Sequence, residues 1–226
     1  MPSKTFLGLP EAKRNKIMSA VRQVFSNAPY SQVTVTDIIK LAEIPRGSFY
    51  QYFKDKEDLY FYLLETFRQS FKDRLTHNLQ VQNGDFFAAI RETFHQTLTH
   101  FATGTDRQLV QNFVMEMDYR GYHHLMKRDI HQRPHHPHAE LSEWQQNIKD
   151  QTDFTKLRVS KDEFDLLFHT LLGFMGQSLA HYFMAQRETD QEITAERFKT
   201  KFDLLLDWLE HGVLIEDTGT GRELNA

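Results

Sequence analysis

The sequence contains no cysteine among its 226 residues. Disulfide bonds, thiol catalysis, and zinc or iron–sulfur sites with cysteine ligands are therefore excluded. Long apolar runs are also missing, since no stretch approaches the ~18 residues that a membrane-spanning helix needs. Residues 1–10 lack the basic start and the apolar stretch of a signal peptide. These absences predict a cytoplasmic protein with no membrane partner.

Glycine and proline are scarce, at 10 and 6 residues. So few breakers favour long helices over many short strands. Phenylalanine, in contrast, is abundant, with 19 copies. This abundance predicts either a phenylalanine-rich core or a large apolar cavity. The chain is long enough to form one large domain or two small ones with real cores.

Charge is distributed unevenly along the chain, although its net value of −4 is unremarkable. Residues 1–60 hold nine Lys or Arg and six Asp or Glu, a net of +3. Residues 61–226 hold eighteen Lys or Arg and twenty-five Asp or Glu, a net of −7. A basic head on an acidic body is expected when one end of a protein meets DNA.

Apolar residues recur at helical spacing over most of the chain, which predicts a series of amphipathic helices. A loop is predicted at 150–160. The predicted helices cover residues 10–26, 34–42, 46–53, a longer segment that begins after Asp55, and then 84–103, 106–118, 120–130, 139–150, 161–187 and 192–214.

Two short helices in the head are separated by a tight break. Thr34 is placed to cap the first, with Asp37 three residues later as its capping-box partner. The break falls at Glu43, Ile44 and Pro45. This spacing predicts a helix-turn-helix, whose second helix must be short and exposed on one face to enter the DNA major groove.

The segment 44–59 contains a distinctive set of residues: Gly47, Phe49, Tyr50, Tyr52, Phe53, Lys56, Glu57 and Leu59. In these residues it resembles the recognition-helix signature of TetR-family repressors, and the resemblance extends over about residues 8–65. Two positions depart from the pattern. Glu43 stands where the family usually has glycine, and it must accept a positive φ at some energetic cost. Pro45 replaces the usual Ser or Thr cap and supplies no capping oxygen.

The resemblance implies an all-α fold with an N-terminal three-helix helix-turn-helix DNA-binding domain, followed by a larger helical ligand-binding and dimerisation domain. The expected boundaries are 1–54 and 55–216, with a disordered tail at 217–226. The implied function is that of a ligand-responsive transcriptional regulator, usually a repressor. It would bind palindromic double-stranded operator DNA as a homodimer and be released by an inducer. No cofactor is implied.

DNA contacts are predicted in and around the recognition helix. Arg46 suits a guanine edge, and Ser48 and Gln51 suit bases or sugars. Phe49 and Phe53 are expected to be buried instead. The full set of predicted DNA-binding residues is Thr34, Thr36, Arg46, Gly47, Ser48, Tyr50, Gln51, Tyr52 and Lys56.

The last two helices are expected to form the dimer interface, with an intramolecular core as the alternative interpretation of the same apolar stripe. The predicted interface residues are Phe164, Phe168, Leu172, Gly176, Leu179, Phe183, Phe202 and Leu206. The middle of the chain is expected to hold a pocket for a small apolar inducer, although each candidate could be plain core. The candidates are Phe67, Phe71, Phe86, Phe94, Phe101, Phe113, Met117, Tyr122 and Phe174.

Histidines crowd the segment 123–138, and imidazoles are common ligands of zinc, copper and nickel. Their spacing matches no known metal signature, so no metal site is predicted, and weak metal binding by the loop from His131 to His138 stays open. An enzyme is not predicted, because the chain lacks a Gly-rich phosphate loop, Gly-x-Ser-x-Gly and His-Glu-x-x-His. The remaining alternative is a helical protein-interaction module without DNA binding.

Overall fold

The computed structural model describes residues 2–116, 137–188 and 194–212. These residues form ten α-helices and one 3-10 turn at Phe154–Lys156, with no strand among them, which confirms the all-α prediction. The helices are α1 (Lys4–Leu7), α2 (Glu11–Asn27), α3 (Val35–Ala42), α4 (Arg46–Tyr52), α5 (Lys56–Val81), α6 (Phe86–Thr103), α7 (Arg107–Glu116), α8 (Pro137–Gln151), α9 (Phe164–Glu188) and α10 (Ala195–His211).

Most predicted helices lie close to observed ones, and the exceptions are short. Helix α1 and the 3-10 turn within the predicted 150–160 loop were not predicted, because four or three residues are too few for a helical period to register. The predicted helix at 120–130 and the predicted tail at 217–226 lie outside the described residues. No helix in the described ranges is long and apolar enough to cross a membrane.

The predicted helix caps of the head are confirmed. The Thr34 hydroxyl accepts the Asp37 amide at 3.3 Å, and the Asp37 carboxylate accepts the Thr34 amide at 2.9 Å. Helix α3 ends at Glu43 with φ of 53°, the positive φ predicted there. The Asp55 carboxylate accepts the Asp58 amide at 2.8 Å and starts α5. Local hydrogen bonds thus fix where each helix of the helix-turn-helix begins and ends.

The head has its own core, which helices α1 to α4 build with the first turns of α5. Phe49 and Phe53 are almost fully buried in it, as predicted. Leu59 and Leu63 of α5 belong to this core, and so does Leu109 of α7. The head core therefore continues past the predicted border between residues 54 and 55.

A second core lies among α5, α6, α8, α9 and α10. Phe94 of α6 stacks on Phe202 of α10 with 3.8 Å between ring centroids. Helices α9 and α10 run antiparallel, since Tyr182 contacts Phe198 while Phe174 contacts Phe202. Because the second half of α5 packs here and its first half packs in the head, this helix connects the two cores.

The predicted dimer stripe is largely intramolecular core, which corrects that prediction. Five of its members are at most 1% exposed within one protomer: Phe164, Phe168, Phe183, Phe202 and Leu206. Leu172 is half-buried against the same core. Apolar residues surround α9 on most of its circumference, so periodicity alone does not tell which stripe faces inward.

The outward face of α9 and α10 carries a different set of large apolar side chains. The most exposed is Leu166, at 75%. At Gly173, an added Cβ would meet no heavy atom within 4 Å, so this part of α9 faces open space in the protomer. We call the following residues the outer face: Leu166, Gly173, Met184, Leu204, Trp208 and Leu209.

Candidate nucleic-acid interface and ligand cavity

Helix α4 presents one polar face to solvent and buries the other. Arg46, Gly47, Tyr50 and Gln51 are exposed, and the i, i+4 spacing within 46–50 and 47–51 places them side by side. The Arg46 guanidinium reaches to 3.5 Å from the Tyr50 hydroxyl and lies 5.8 Å from its ring centroid. The buried aromatic residues on the other side of α4, Phe49, Tyr52 and Phe53, thus hold these side chains together on the surface.

Three predicted contacts around α4 are placed differently from the rest. Tyr52 is only 5% exposed and packs against Phe6 in the head core. The Lys56 ammonium donates to the carbonyls of Tyr30 and Val33, both at 2.7 Å. Ser48 is half-buried. Tyr52 and Lys56 therefore serve the packing of the head, and their placement argues against their role as DNA contacts.

The start of α3 is a second exposed element beside α4. Thr34 and Thr36 are both exposed there. The Thr34 hydroxyl donates to the Asp37 carboxylate at 2.6 Å. Hydrogen bonds from the Thr34 hydroxyl and amide hold the pKa of Asp37 below its ordinary value. The capping box thus leaves Thr36 as the polar residue of this turn whose side chain has no capping role.

The turn of the helix-turn-helix is tied to α2. The Lys16 ammonium pairs with the Glu43 carboxylate across the surface, and this contact lowers the pKa of Glu43. Both side chains are well exposed, so the pair adds little to stability. The pair does place the carboxylate of Glu43, the residue with the left-handed backbone, beside a cation. The family pattern has glycine at this position and therefore no side chain.

The chain before α2 supports the end of α4, which the sequence analysis missed. The Ser3 hydroxyl donates to the Gln51 carbonyl at 2.6 Å, and the Ser3 amide donates to the Tyr52 carbonyl at 2.8 Å. Phe6 is fully buried against Tyr52 and Phe53. These bonds satisfy carbonyls that the last turn of a helix leaves open. An apolar Phe6 so close to the N-terminus was the available signal.

A cavity of about 310 Å³ lies between α5, α6, α7 and α9. Its volume is at the lower end of the ~300–1,000 Å³ typical of small-molecule sites. Four of the predicted pocket residues line it: Phe67, Phe71, Phe101 and Phe113. Gly176, Leu179 and Phe183, which were predicted at a dimer interface, line it as well.

The other predicted pocket residues are not at this cavity. Phe86 and Phe94 are buried in the second core, against Phe164 and Phe202 respectively. Phe174 is half-buried and stacks on Phe202. Phenylalanines that face a cavity and those that face a packed helix have the same sequence pattern, which explains these corrections. Met117 and Tyr122 lie outside the described residues.

Polar side chains of the cavity wall were also missed. Arg74 of α5 donates to the Thr97 hydroxyl of α6 at 2.8 Å, and both residues line the cavity with His100. Arg68 lines it too and pairs with Glu65 at 2.9 Å. Burial lowers the pKa of the Arg74 guanidinium. No sequence pattern distinguishes these residues, because surface arginines on a helix have the same spacing.

Helix α7 lies between the cavity and the head. Val110 and Phe113 line the cavity, whereas Leu109 is buried in the head core and also borders the cavity. The Asn112 side chain donates to the Phe25 and Ser26 carbonyls at the end of α2, at 3.0 and 3.1 Å. One short helix thus contacts both the ligand-sized space and the head.

An ion pair strengthens the same junction. The Arg22 guanidinium of α2 binds the Asp106 carboxylate at 2.6 Å, just before α7 begins. It also donates to the Thr66 hydroxyl at 3.2 Å and lies 4.9 Å from the ring centroid of Phe67, a cavity residue. Arg22 is one-third exposed, so the pair is partly buried and is screened less by salt than a fully exposed pair.

Two family models match this chain over most of its length. The model of bacterial regulatory proteins of the tetR family matches residues 17–63. The model of the tetracyclin repressor-like C-terminal domain matches residues 85–213, more than half of the chain. The chain belongs to the TetR family. The resemblance in the helix-turn-helix segment is therefore confirmed, and it extends to the C-terminal domain.

Individual TetR-family relatives agree with this assignment. The transcriptional repressor NemR of Escherichia coli K12 is 31% identical over 88 residues, which are 39% of this chain and 44% of NemR. The chain thus spans less than half of the curated relative it matches.

Solved structures show the same fold. A TetR-family regulator from Syntrophomonas wolfei has a TM-score of 0.60 at 21% identity, covering 91% of this chain and 98% of that one. A regulator from Pectobacterium atrosepticum has a TM-score of 0.54 at 18% identity, covering 91% and 96%.

The described residues contain no group of three or more potential metal ligands. This finding does not reach the histidine cluster, because His123, His124, His131, His135 and His136 lie outside the described residues. The prediction about the loop from His131 to His138 therefore stays a prediction.

Proposed function

We propose that this TetR-family protein is a transcriptional repressor that binds a palindromic operator as a homodimer and is released by a small apolar inducer. The observation that carries the proposal is the exposed face of α4, where Arg46, Gly47, Tyr50 and Gln51 stand on a rigid aromatic underside. Such a face has the shape and the donors that major-groove recognition needs. The name of the E. coli relative supports repression.

Arg46 is the residue that we expect to read a base, through bidentate donation to guanine. Tyr50 and Gln51 lie beside it and reach bases, sugars or phosphates, and Thr36 adds a phosphate contact from α3. Ser48 is a weaker candidate because it is half-buried. Gly47 has no heavy atom within 4 Å of an added Cβ, so the free protein does not itself require glycine there. We propose that the close approach of DNA does.

The dimer is proposed to form through the outer face of α9 and α10. Its large apolar side chains are left exposed by the protomer. Antiparallel helices with exposed apolar residues on one side pair as a two-fold bundle with the same face of a second copy. Two copies of α4 would then read two half-sites one helical turn apart.

The inducer is proposed to bind in the cavity and to act through α7. Filling the space beside Val110 and Phe113 displaces α7, and α7 is bonded to the end of α2 by Asn112. A shift of α2 changes the spacing of the two heads in the dimer, which lowers operator affinity. In this proposal the head of residues 1–54 and the body of 55–216 are functional units, and α5 and α7 of the body also pack against the head.

The test is a titration of the purified protein onto labelled DNA from upstream of its own gene, beside an unrelated duplex, at one stated salt concentration. We expect selective binding that weakens about 10- to 100-fold in Arg46→Ala, in line with ~1–3 kcal/mol for a bidentate base contact. Arg158→Ala is the matched control, since Arg158 is an exposed arginine in the body. It should bind as the wild type does.

Absence of selectivity in the upstream DNA leads to a second step, selection from random duplexes. A protein that selects no sequence even at low salt would contradict the repressor proposal. A helical interaction module without DNA binding would then be the better description.

A further inference from the structure

One arginine on the cavity wall has no counter-charge in the part of the chain that the structure describes. Arg74 is half-buried, and its guanidinium donates to the Thr97 hydroxyl at 2.8 Å. No carboxylate in the described ranges forms an ion pair with it. Burial lowers its pKa, because the charged form loses water and gains no anion in return. An arginine remains charged all the same.

Three other half-buried arginines in the described residues are paired with carboxylates. Arg22 binds Asp106 at 2.6 Å, Arg91 binds Asp207 at 2.7 Å, and Arg68 binds Glu65 at 2.9 Å. Among the described residues, Arg74 differs from them in having a neutral hydroxyl as its only partner. A partly desolvated guanidinium with open donors is a site that an anion would stabilise.

The composition of the cavity wall has the same bias. Arg68, Arg74 and His100 line the cavity, whereas none of its described lining residues is Asp or Glu. Aside from Thr97 and Ser70, the other lining residues are apolar, and five of them are phenylalanines. The cavity therefore combines an apolar body with one basic wall, formed by consecutive turns of α5 and the facing turn of α6.

We propose that the inducer is a monocarboxylate whose anionic group binds Arg74 and Thr97 while its apolar body fills the phenylalanine-lined part of the cavity. This rests on the proposed function, in which an inducer occupies this cavity. A carboxylate matches the planar fork of an arginine and accepts from Thr97 or Arg74 with its two oxygens. The volume of about 310 Å³ restricts the body to a medium-length chain or a substituted aromatic ring.

The test is calorimetric titration of the full-length protein with three probes of equal chain length: octanoate, 1-octanol and octylamine. We expect octanoate to bind at least about tenfold more tightly than octanol, as charge-assisted hydrogen bonds do over neutral contacts. Octylamine should bind most weakly, because it brings a second cation to the basic wall.

Two arginine variants distinguish the role of Arg74 from a general charge effect. Arg74→Met keeps the apolar stem and removes the donors, so the preference for octanoate over octanol should vanish. Arg91→Met is the control outside the cavity lining, and it should keep the preference because Arg91 pairs with Asp203 and Asp207 instead. Circular dichroism and thermal melting establish that each variant folds, and the comparison of probes on the wild type needs no variant.

Ala180→Phe locates the binding, because it fills the cavity and should abolish binding of both octanoate and octanol. Equal affinity for octanol and octanoate in the wild type, lost in Ala180→Phe, would overturn the carboxylate inference and leave the proposed apolar inducer standing. Binding of no probe, or binding that Ala180→Phe leaves intact, would overturn both the carboxylate inference and the proposal that an apolar inducer occupies this cavity.

Discussion

Trp208 is the side chain on which the proposed dimer should depend most. It is 46% exposed in the protomer. An aromatic side chain of this kind buries about 150–250 Å² in full, so roughly 70–110 Å² of Trp208 stays open to a partner. At about 25 cal/mol per Å², covering it stabilises the dimer by about 2–3 kcal/mol per copy. A two-fold interface contains the residue twice, which gives about 4–6 kcal/mol as an upper value.

The perturbation is Trp208→Ala, and the assay is sedimentation equilibrium over a range of protein concentrations. Because buried area overstates affinity, we expect the dimer dissociation constant to rise at least about a hundredfold, below the 10³–10⁴ that about 4–6 kcal/mol would give. Operator affinity should fall with it, since a monomer reads one half-site.

Tyr50→Ala is the matched control for Trp208→Ala. Tyr50 is 49% exposed, so the loss of aromatic surface is similar, but it lies on α4 in the head. It should leave the dimer unchanged and weaken only DNA binding. A Trp208→Ala protein that dimerises as the wild type does would refute the assignment of the outer face as the interface.

Two further predictions concern the coupling and the stability of the body. Asn112→Ala removes two hydrogen bonds from α7 to the end of α2, worth about 1–3 kcal/mol together, which is the usual size of an allosteric coupling. The factor by which a cavity ligand weakens operator binding should therefore fall close to one in fluorescence anisotropy titrations, while Gln111→Ala retains it. Gly84→Ala should lower the free energy of unfolding by about 1–3 kcal/mol in urea melts. Gly84 has φ of +80°, and an added Cβ would come within 2.8 Å of the Gln151 carbonyl; an unchanged urea midpoint would contradict this reasoning.

The head was predictable because its structure is dictated locally. The capping box of Thr34 and Asp37 involves residues three apart, and the left-handed turn at Glu43 lies where the TetR-family pattern has glycine. Burial of Phe49 and Phe53 follows from their positions on a short helix with one exposed face. None of these inferences required knowledge of which distant helix packs where.

The body was predictable only as a set of helices. The spacing of Phe164, Phe168 and Phe202 fits an interface and a core equally well. In the structure α6 packs against all three residues, which places them in the core. The outer face could not be separated from them, because a largely apolar helix has no polar side to mark what faces water. The role of Arg74 could not be predicted for a related reason, since it depends on the absence of a carboxylate partner among the described residues.

Helix α7 explains how a small cavity could control a distant recognition helix. Leu109 and Val110 are neighbours in the chain, yet one is buried in the head core and the other in the body core. A rigid helix that is packed on both sides cannot give way to a ligand on one side alone, since close-packed cores resist local compression. Arg22 reinforces this, because it contacts Phe67 of the cavity and Asp106 at the start of α7 with one guanidinium. In the proposed mechanism, a ligand that moves Phe67 or Phe113 would therefore act on the bonds between α7 and α2.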